Sequence, residues 1–276
     1  MNRSSHRLAA NAAAQTRALA RHDPDQFSPG TIGERHFSNR GSVDEAQMAS
    51  MNELRAQLVA TQVKARGIRD PLVLGAMGKV ARELFVSKRL RGVAYQDSPL
   101  PIGAGQTISQ PYMVAFMVEA LALRGGEMVL EIGAGSGYAA AVLSEIARAV
   151  FTIERIGQLA ESAAANLAAA GCENVQVRHA DGTQGWEYNA PFDAILVSAG
   201  APGIPKTLMR QLAVGGRMVI PIGRNQKTQA LMLITRVGED EFEQEDIAGV
   251  RFVPLIGKEG WESRWHRRKA SSGYSI

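Results

Sequence analysis

The glycine run Glu131-Ile-Gly-Ala-Gly-Ser-Gly137 constrains this chain more than any other feature, because of what flanks it. Residues 128–132 before it form a short apolar run of strand character, and the alanine-rich stretch 138–148 after it has helix character. Glycines between a strand and a helix let the backbone turn sharply and approach a ligand without a Cβ in the way. The same alternation continues, with strands expected at 150–153, 175–178, 192–197 and 217–221 and helices at 157–170 and 205–212. Such a chain builds a parallel sheet covered on both faces. After Gly223 the pattern changes to runs at 229–236, 242–247 and 250–255 with short turns, which read as antiparallel additions to the sheet edge. The expected fold is therefore α/β: a doubly wound, mostly parallel, Rossmann-like sheet with an antiparallel C-terminal edge.

Upstream, 51–67 carries Leu54, Leu58, Val59 and Val63 at helical spacing. Asp70-Pro71 reads as an N-cap followed by proline at the first helical position, opening a helix with Val73, Leu74 and Met77. Residues 92–110 read as a loop, and 110–123 as a helix burying Met113, Phe116, Met117 and Leu121. Residues 1–50 are rich in Ala, Arg, Ser and Asn and have no sustained apolar period. They are expected to be a flexible extension, with a weak helix at 8–20. Their arginine-rich, acid-poor start also matches the composition of an organelle transit peptide, although plain disordered tails share it. The main domain is expected over 51–261, followed by a basic tail, 262–276, whose Trp265, His266 and Tyr274 are read as parts of a solvated end.

Charge and cysteine content exclude several functions. The net charge is +4 over 276 residues, but 1–22 contribute four positive charges and 262–276 a net three. About −3 is left for everything between, so the globular part is not a basic nucleic-acid binder. Cys172 is the single cysteine and the five histidines have no metal-ligand spacing, so no metal site is expected. A reducing, cytoplasmic compartment fits this usage. No apolar run reaches the roughly 18 residues that a membrane span needs.

The glycine loop lies at the carboxyl end of a strand, where open α/β sheets bind ligands. Glu154 ends the next strand, 21 residues beyond Gly133, where a carboxylate can accept from both ribose hydroxyls of an adenosine ligand. A dinucleotide fingerprint needs a third glycine at position 138, which holds Tyr138. The spacing Gly133, Gly135, Gly137 is the tighter one of S-adenosylmethionine enzymes. Glu131 is poorly placed beside a pyrophosphate but well placed beside a sulfonium and an ammonium. S-adenosylmethionine is the expected cofactor.

Several stretches together resemble the protein-L-isoaspartate O-methyltransferase family. They are Gly105-Gln-Thr-Ile-Ser-Gln-Pro-Tyr112, Val129-Leu-Glu-Ile-Gly-Ala-Gly-Ser-Gly-Tyr138, Thr152-Ile-Glu-Arg155, Asp181-Gly182, Ala190-Pro-Phe-Asp-Ala-Ile195, Gly215-Gly-Arg217, Ile220-Pro-Ile-Gly223 and Arg251-Phe-Val-Pro-Leu255. The glycine loop is common to many methyltransferases, whereas Thr107–Pro111 together with Arg251–Leu255 is specific. The resemblance implies methyl transfer to isoaspartyl proteins and peptides, by a monomer with no nucleic-acid or membrane partner. It implies cofactor roles for Ile108, Glu131, Gly133, Ala134, Gly135, Ser136, Gly137, Glu154, Asp181 and Gly182. Ser109 matches the family's active-site serine, and Gln110, Phe252, Val253 and Pro254 its substrate groove. Two bland readings stand beside these. Ser109 is equally suited to cap the helix that begins near Pro111, and 252–255 to be an ordinary edge strand.

Alternatives on the same fold are a nucleic-acid or small-molecule methyltransferase, or a binding protein that no longer transfers. Amino-directed base methyltransferases carry an Asp/Asn-Pro-Pro-Tyr/Phe motif where this chain has Val197-Ser-Ala-Gly-Ala-Pro202. Cytosine-C5 enzymes need a nucleophilic cysteine, and Cys172 lies far along the chain from the glycine loop.

Overall fold

A computed structural model of the chain describes residues 40–225 and 228–262. Helix α1 (Arg40–Leu58) runs straight into a π-helical turn, Val59–Lys64. It therefore begins inside the stretch 1–50 that was expected to be a flexible extension. From Asp44 to Leu58 no glycine or proline interrupts a run of good helix formers, so local propensity carries the helix upstream of its apolar residues. Leu54, expected on the buried face, is exposed, and burial starts at Leu58 and Val63. The expected helix at 8–20 and the tail from 263 onward lie outside the described residues.

Helix α2 (Pro71–Lys79) starts as its sequence requires. Asp70 is the N-cap, and its Oδ1 accepts from the backbone N–H of Leu72 at 2.8 Å and of Val73 at 3.3 Å. The loop expected over 92–110 contains more structure than that. A 3-10 turn (Lys88–Val93) precedes a two-stranded antiparallel hairpin, β1 (Leu100–Gly103) and β2 (Gln106–Ile108). Helix α3 (Pro111–Leu121) follows directly.

The sheet is then laid down by β3 (Met128–Ile132), α4 (Tyr138–Ser144), β4 (Ala149–Glu154), α5 (Gly157–Ala169), β5 (Val175–His179), β6 (Phe192–Val197), α6 (Lys206–Gln211), β7 (Leu212–Ile222), β8 (Gln229–Arg236) and β9 (Phe242–Val250). Its strand order is β5-β4-β3-β6-β7-β8-β9. The pairs from β5 to β7 are parallel, and β8 and β9 are added antiparallel. Side chains alternate between the faces: Val129 packs with α2, α3 and α4, while Leu130 and Ile132 pack with Leu208 of α6. The fold is the doubly wound, mostly parallel one expected, with its antiparallel edge.

One expected strand is absent. Residues 251–255 do not extend the edge; Pro254 makes a single parallel bridge to Gly200. Proline has no N–H to give a ladder. The segment instead leaves the edge and crosses over the carboxyl ends of the central strands. The buried Gln229 side chain grips it there, with Oε1 accepting from Phe252 N at 2.8 Å and Nε2 donating to Phe252 O at 3.1 Å.

Asp70→Ala leaves two N–H groups of α2 uncapped and is expected to cost about 1 kcal/mol of stability. Urea denaturation checks this, and an unchanged midpoint would contradict the capping role.

Candidate active site

Strand order creates the cleft. From β3 the sheet grows one way through β4 and β5 and the other way through β6 and β7. The connections leaving β3 and β6 therefore diverge, and a crevice opens at their carboxyl ends. Its lining runs from the glycine loop and Glu154 to Thr107–Ser109 on one side and Val253–Ile256 on the other.

The glycine loop forms its floor. Gly133, Gly135 and Gly137 all have positive φ (92°, 57° and 93°), a region that disfavours residues with a Cβ. The backbone N–H groups of Gly133 and Ala134 both point at the Ile153 carbonyl, at 2.8 and 3.2 Å, which ties the loop to the end of β4. Gly182 meets it from the neighbouring connection. A Cβ there would lie 2.4 Å from Ile132 Cγ2, so only glycine allows this approach.

Two buried carboxylates face this floor. Glu154 accepts from Gly135 N with Oε2 and from Ile156 N with Oε1, both at 2.9 Å. A carboxylate has about four acceptor positions, so each oxygen retains capacity for a hydroxyl. Glu131 is completely buried. Its Oε2 accepts from the Thr152 hydroxyl at 2.5 Å, while its Oε1 has no partner. Burial pushes its pKa up to about 8, with the nearby charge of Glu154 adding to the rise and the Thr152 hydrogen bond opposing it. The hydroxyl of Ser136 is likewise buried and unpartnered.

The other walls are irregular chain. The β1–β2 hairpin covers the loop, with Ile102 packed over Gly135, and presents Thr107, Ile108 and Ser109. The strap after β9 contributes Val253, Pro254, Leu255 and Ile256. It is held by a Leu255 N to Gly200 O hydrogen bond of 2.8 Å, and by Trp261 Nε1 donating to the same carbonyl at 3.0 Å.

Most residues singled out from the sequence line this one cleft: Ile108, Ser109, Glu131, Gly133, Ala134, Gly135, Ser136, Glu154, Gly182, Val253 and Pro254. Four do not. Gly137 is the N-cap residue of α4, and Phe252 is held at the backbone by Gln229. Gln110 turns its amide away, donating to Asp97 Oδ2 at 2.7 Å and to the Asp97 carbonyl at 3.0 Å. Asp181 has both oxygens engaged: Oδ1 with Thr183 N (2.9 Å) and Thr183 Oγ1 (2.8 Å), and Oδ2 with Lys258 N (2.8 Å). It fastens the far end of the strap. Ser109 is not the cap of α3: that position is Gln110, which makes no side-chain cap. Lining residues that sequence reasoning omitted include Ser198 and Ala199 after β6, and Ile256. The strand order, had it been known, would have placed the first pair beside the glycine loop. Among the described residues no group of three or more His, Cys, Asp or Glu is placed to hold a metal ion, and no helix is long and apolar enough to cross a membrane.

Comparison with known proteins agrees with this geometry. Residues 53–260 match the family model of protein-L-isoaspartate(D-aspartate) O-methyltransferase. Protein-L-isoaspartate O-methyltransferase 1 of Rhodopseudomonas palustris (strain HaA2) is 62% identical over 209 residues, covering 76% of this chain and 85% of that one. Protein-L-isoaspartate O-methyltransferase 2 of Pelobacter propionicus is 55% identical over 207 residues, covering 75% and 92%. Among solved structures, a Plasmodium falciparum chain described as a protein-L-isoaspartate O-methyltransferase, in complex with S-adenosyl-L-homocysteine, superposes with a TM-score of 0.64. That chain is 28% identical, with 73% of this chain and 98% of that one covered. With three quarters of its length matched by one family model and its glycine loop, serine and strap converging on one cleft, this chain belongs to the protein-L-isoaspartate(D-aspartate) O-methyltransferase family.

Proposed function

We propose that this chain transfers a methyl group from S-adenosylmethionine to the free α-carboxylate of L-isoaspartyl residues in damaged proteins, which starts their repair through a succinimide. The observation that carries this reading is the meeting of Ser109 with the carboxylate-lined glycine loop in one cleft of a chain of this family.

The residues present fit that cofactor. The unpartnered oxygen of the buried Glu131 suits a cationic group, and the spare acceptor positions on Glu154 suit a ribose diol. Glu131 would hold the cationic end and Glu154 the ribose, with Ile108 and the loop backbone around them. When bound, the cofactor supplies a methyl group made electrophilic by a sulfonium. Everything else falls to the chain. An α-carboxylate has a pKa of about 3.5 and is ionised at neutral pH, so no general base has to remove a proton. The cleft has to orient the carboxylate and strip water from it, and alignment alone supplies up to about 7–11 kcal/mol in ideal cases. The Ser109 hydroxyl is the donor suited to that orientation, with Val253 and Pro254 flanking the substrate chain. In the resulting methyl ester the neighbouring backbone nitrogen displaces methanol and closes the succinimide. Water then opens the ring without further help from the enzyme.

The same reading makes the substrate a protein or peptide, not nucleic acid, in agreement with the acidic balance of the residues between the two basic ends. It takes the chain as a cytoplasmic monomer; the single, half-buried Cys172 fits the reducing compartment.

Radiolabelled methyl transfer to an isoaspartyl peptide and its normal aspartyl twin tests the proposal. Label is expected only in the isoaspartyl peptide, and equal labelling of both would sink it. Glu154→Ala is expected to weaken cofactor binding by about tenfold to a hundredfold, the worth of hydrogen bonds to a charged group. Calorimetry with S-adenosylhomocysteine measures this, and unchanged affinity would remove the ribose role.

Glu131 adds a pH dependence. Its folded pKa, about 8, lies above the usual carboxylate value, so the folded protein holds a proton that the unfolded chain has lost across that interval. Holding that proton lowers stability as pH rises towards 8, by about 3 kcal/mol at pH 7. A bound cation favours the ionised form. Binding of S-adenosylhomocysteine, which carries an ammonium, is therefore expected to release up to about one proton near pH 7 and to strengthen as pH rises towards 8. Calorimetry in buffers of different ionisation heats reads the proton directly. Glu131→Gln is expected to abolish the release; a release that survives the substitution would assign the proton to another group.

A further inference from the structure

We infer that Asp97, which no sequence motif singled out and which does not line the cleft, is the positioning residue that sets Ser109 for substrate. The inference rests on the methyl-transfer reading above. Ser109 directly precedes α3, so the backbone that carries its hydroxyl is set by how the N-terminus of that helix is held. A helix start exposes N–H groups that need acceptors, and a serine one residue before the N-cap is a ready competitor for them. Here Asp97 supplies the acceptor from a different loop: its Oδ1 takes the Tyr112 N–H at 3.0 Å. Its Oδ2 and its backbone carbonyl take the Gln110 amide, so both residues following Pro111 and Ser109 are tied to one side chain.

Asp97 is itself fixed. Arg66 Nη1 is paired with Asp97 Oδ2, the Arg66 guanidinium lies 3.6 Å from the centre of the Tyr112 ring, and the two side chains are largely buried. From beneath, the fully buried Arg82 pins the same loop, with Nε donating to Ala94 O at 2.9 Å and Nη2 to Ser98 O at 3.4 Å. Arg82 also lies 4.7 Å from the Tyr138 ring, the residue that closes the glycine loop. The loop holding Asp97 is thus referenced to the cofactor floor, and through Asp97 so is the turn that carries Ser109. Because Asp97 does the capping, the Ser109 hydroxyl is left to face the cleft.

A residue that acts through Ser109 differs from one that merely stabilises the fold, and a double-mutant cycle separates the two. Ser109→Ala alone is expected to lower kcat for an isoaspartyl peptide by about tenfold or more, and Asp97→Ala by a similar factor, with S-adenosylhomocysteine affinity held within about threefold. In the Asp97→Ala background Ser109→Ala is expected to cost less than about twofold more, because the hydroxyl is already misplaced. Asp97→Asn keeps an oxygen for the Tyr112 N–H but sets an amide NH2 against Arg66 and Gln110, so a kcat between those of the alanine variant and the wild type is expected. Should the alanine variant not fold, Asp97→Gln, whose acceptor is displaced by one methylene, carries the same cycle. Multiplying rate losses in the double variant would overturn the inference. A wild-type protein inactive on the isoaspartyl peptide would instead reject the methyl-transfer reading, and the positioning role with it.

Discussion

The central constraint is the two-sided pairing of β3, with β4 on one flank and β6 on the other. It is a matter of register as well as adjacency. Glu131 sits opposite Thr152 across the β3–β4 pair, which brings a hydroxyl within 2.5 Å of a carboxylate that has no water to turn to. One step on, Ile132 is opposite Ile153, whose carbonyl takes the first two N–H groups of the glycine loop. A slip of one residue would reverse which face every side chain of β3 occupies and send Glu131 into the opposite core. The apolar residues on the two sides of that strand, Val129 against Leu130 and Ile132, hold the register by being buried in separate clusters.

That register imposes a cost on the apo protein. A carboxyl group with one unpartnered oxygen, shut away from water, is kept largely neutral near pH 7. A structural role would be served better by an apolar side chain of the same size, since satisfied or absent polar groups are both cheaper than a half-satisfied one. Under the proposed function a cation completes the arrangement. The charge then becomes an asset, and the low-dielectric surroundings that raised the pKa strengthen the attraction.

How much of this was legible in the sequence varies with the kind of backbone involved. Buried strands announce themselves: 192–197 and 229–236 were placed at the ends that Phe192–Val197 and Gln229–Arg236 occupy, because apolar runs bounded by turn residues have few other uses. Glu131 and Glu154 were legible for the same reason, being anchored to strand ends. The hairpin β1–β2 was hidden in 92–110, because Pro99, Pro101, Gly103 and Gly105 give the composition of a loop while the bulged two-strand pairing does not depend on an alternating pattern. The strap was misread as a strand because Phe252, Val253 and Leu255 are residues strands favour. What diverts it is Gln229, whose side chain replaces the edge strand's ladder and lies 23 residues away along the chain. Asp97 was missed for a similar reason, being 15 residues from the N–H it caps.

These misses share a physical origin. Strands and helices satisfy their own backbone groups, but irregular walls cannot, and buried N–H and C=O groups have to find partners elsewhere. In this chain the partners are side chains from distant segments: Asp97 for the start of α3, Gln229 and Asp181 for the two ends of the strap, and Glu119 for the backbone of Arg69 and Asp70. Such residues look like ordinary surface polar positions until the fold is known. The same accounting separates two kinds of carboxylate near the cleft. Asp181 looks like a ligand residue in sequence, and its three hydrogen bonds to Thr183 and Lys258 also make it a fastening of the strap. Glu131 has one oxygen left over. Of the seven buried side-chain polar atoms without a partner among the described residues, its Oε1 and the Ser136 Oγ are the two that belong to residues lining the cleft. An unsatisfied group on a residue that lines a cleft is where binding energy remains to be gained; a satisfied one has already contributed to the fold.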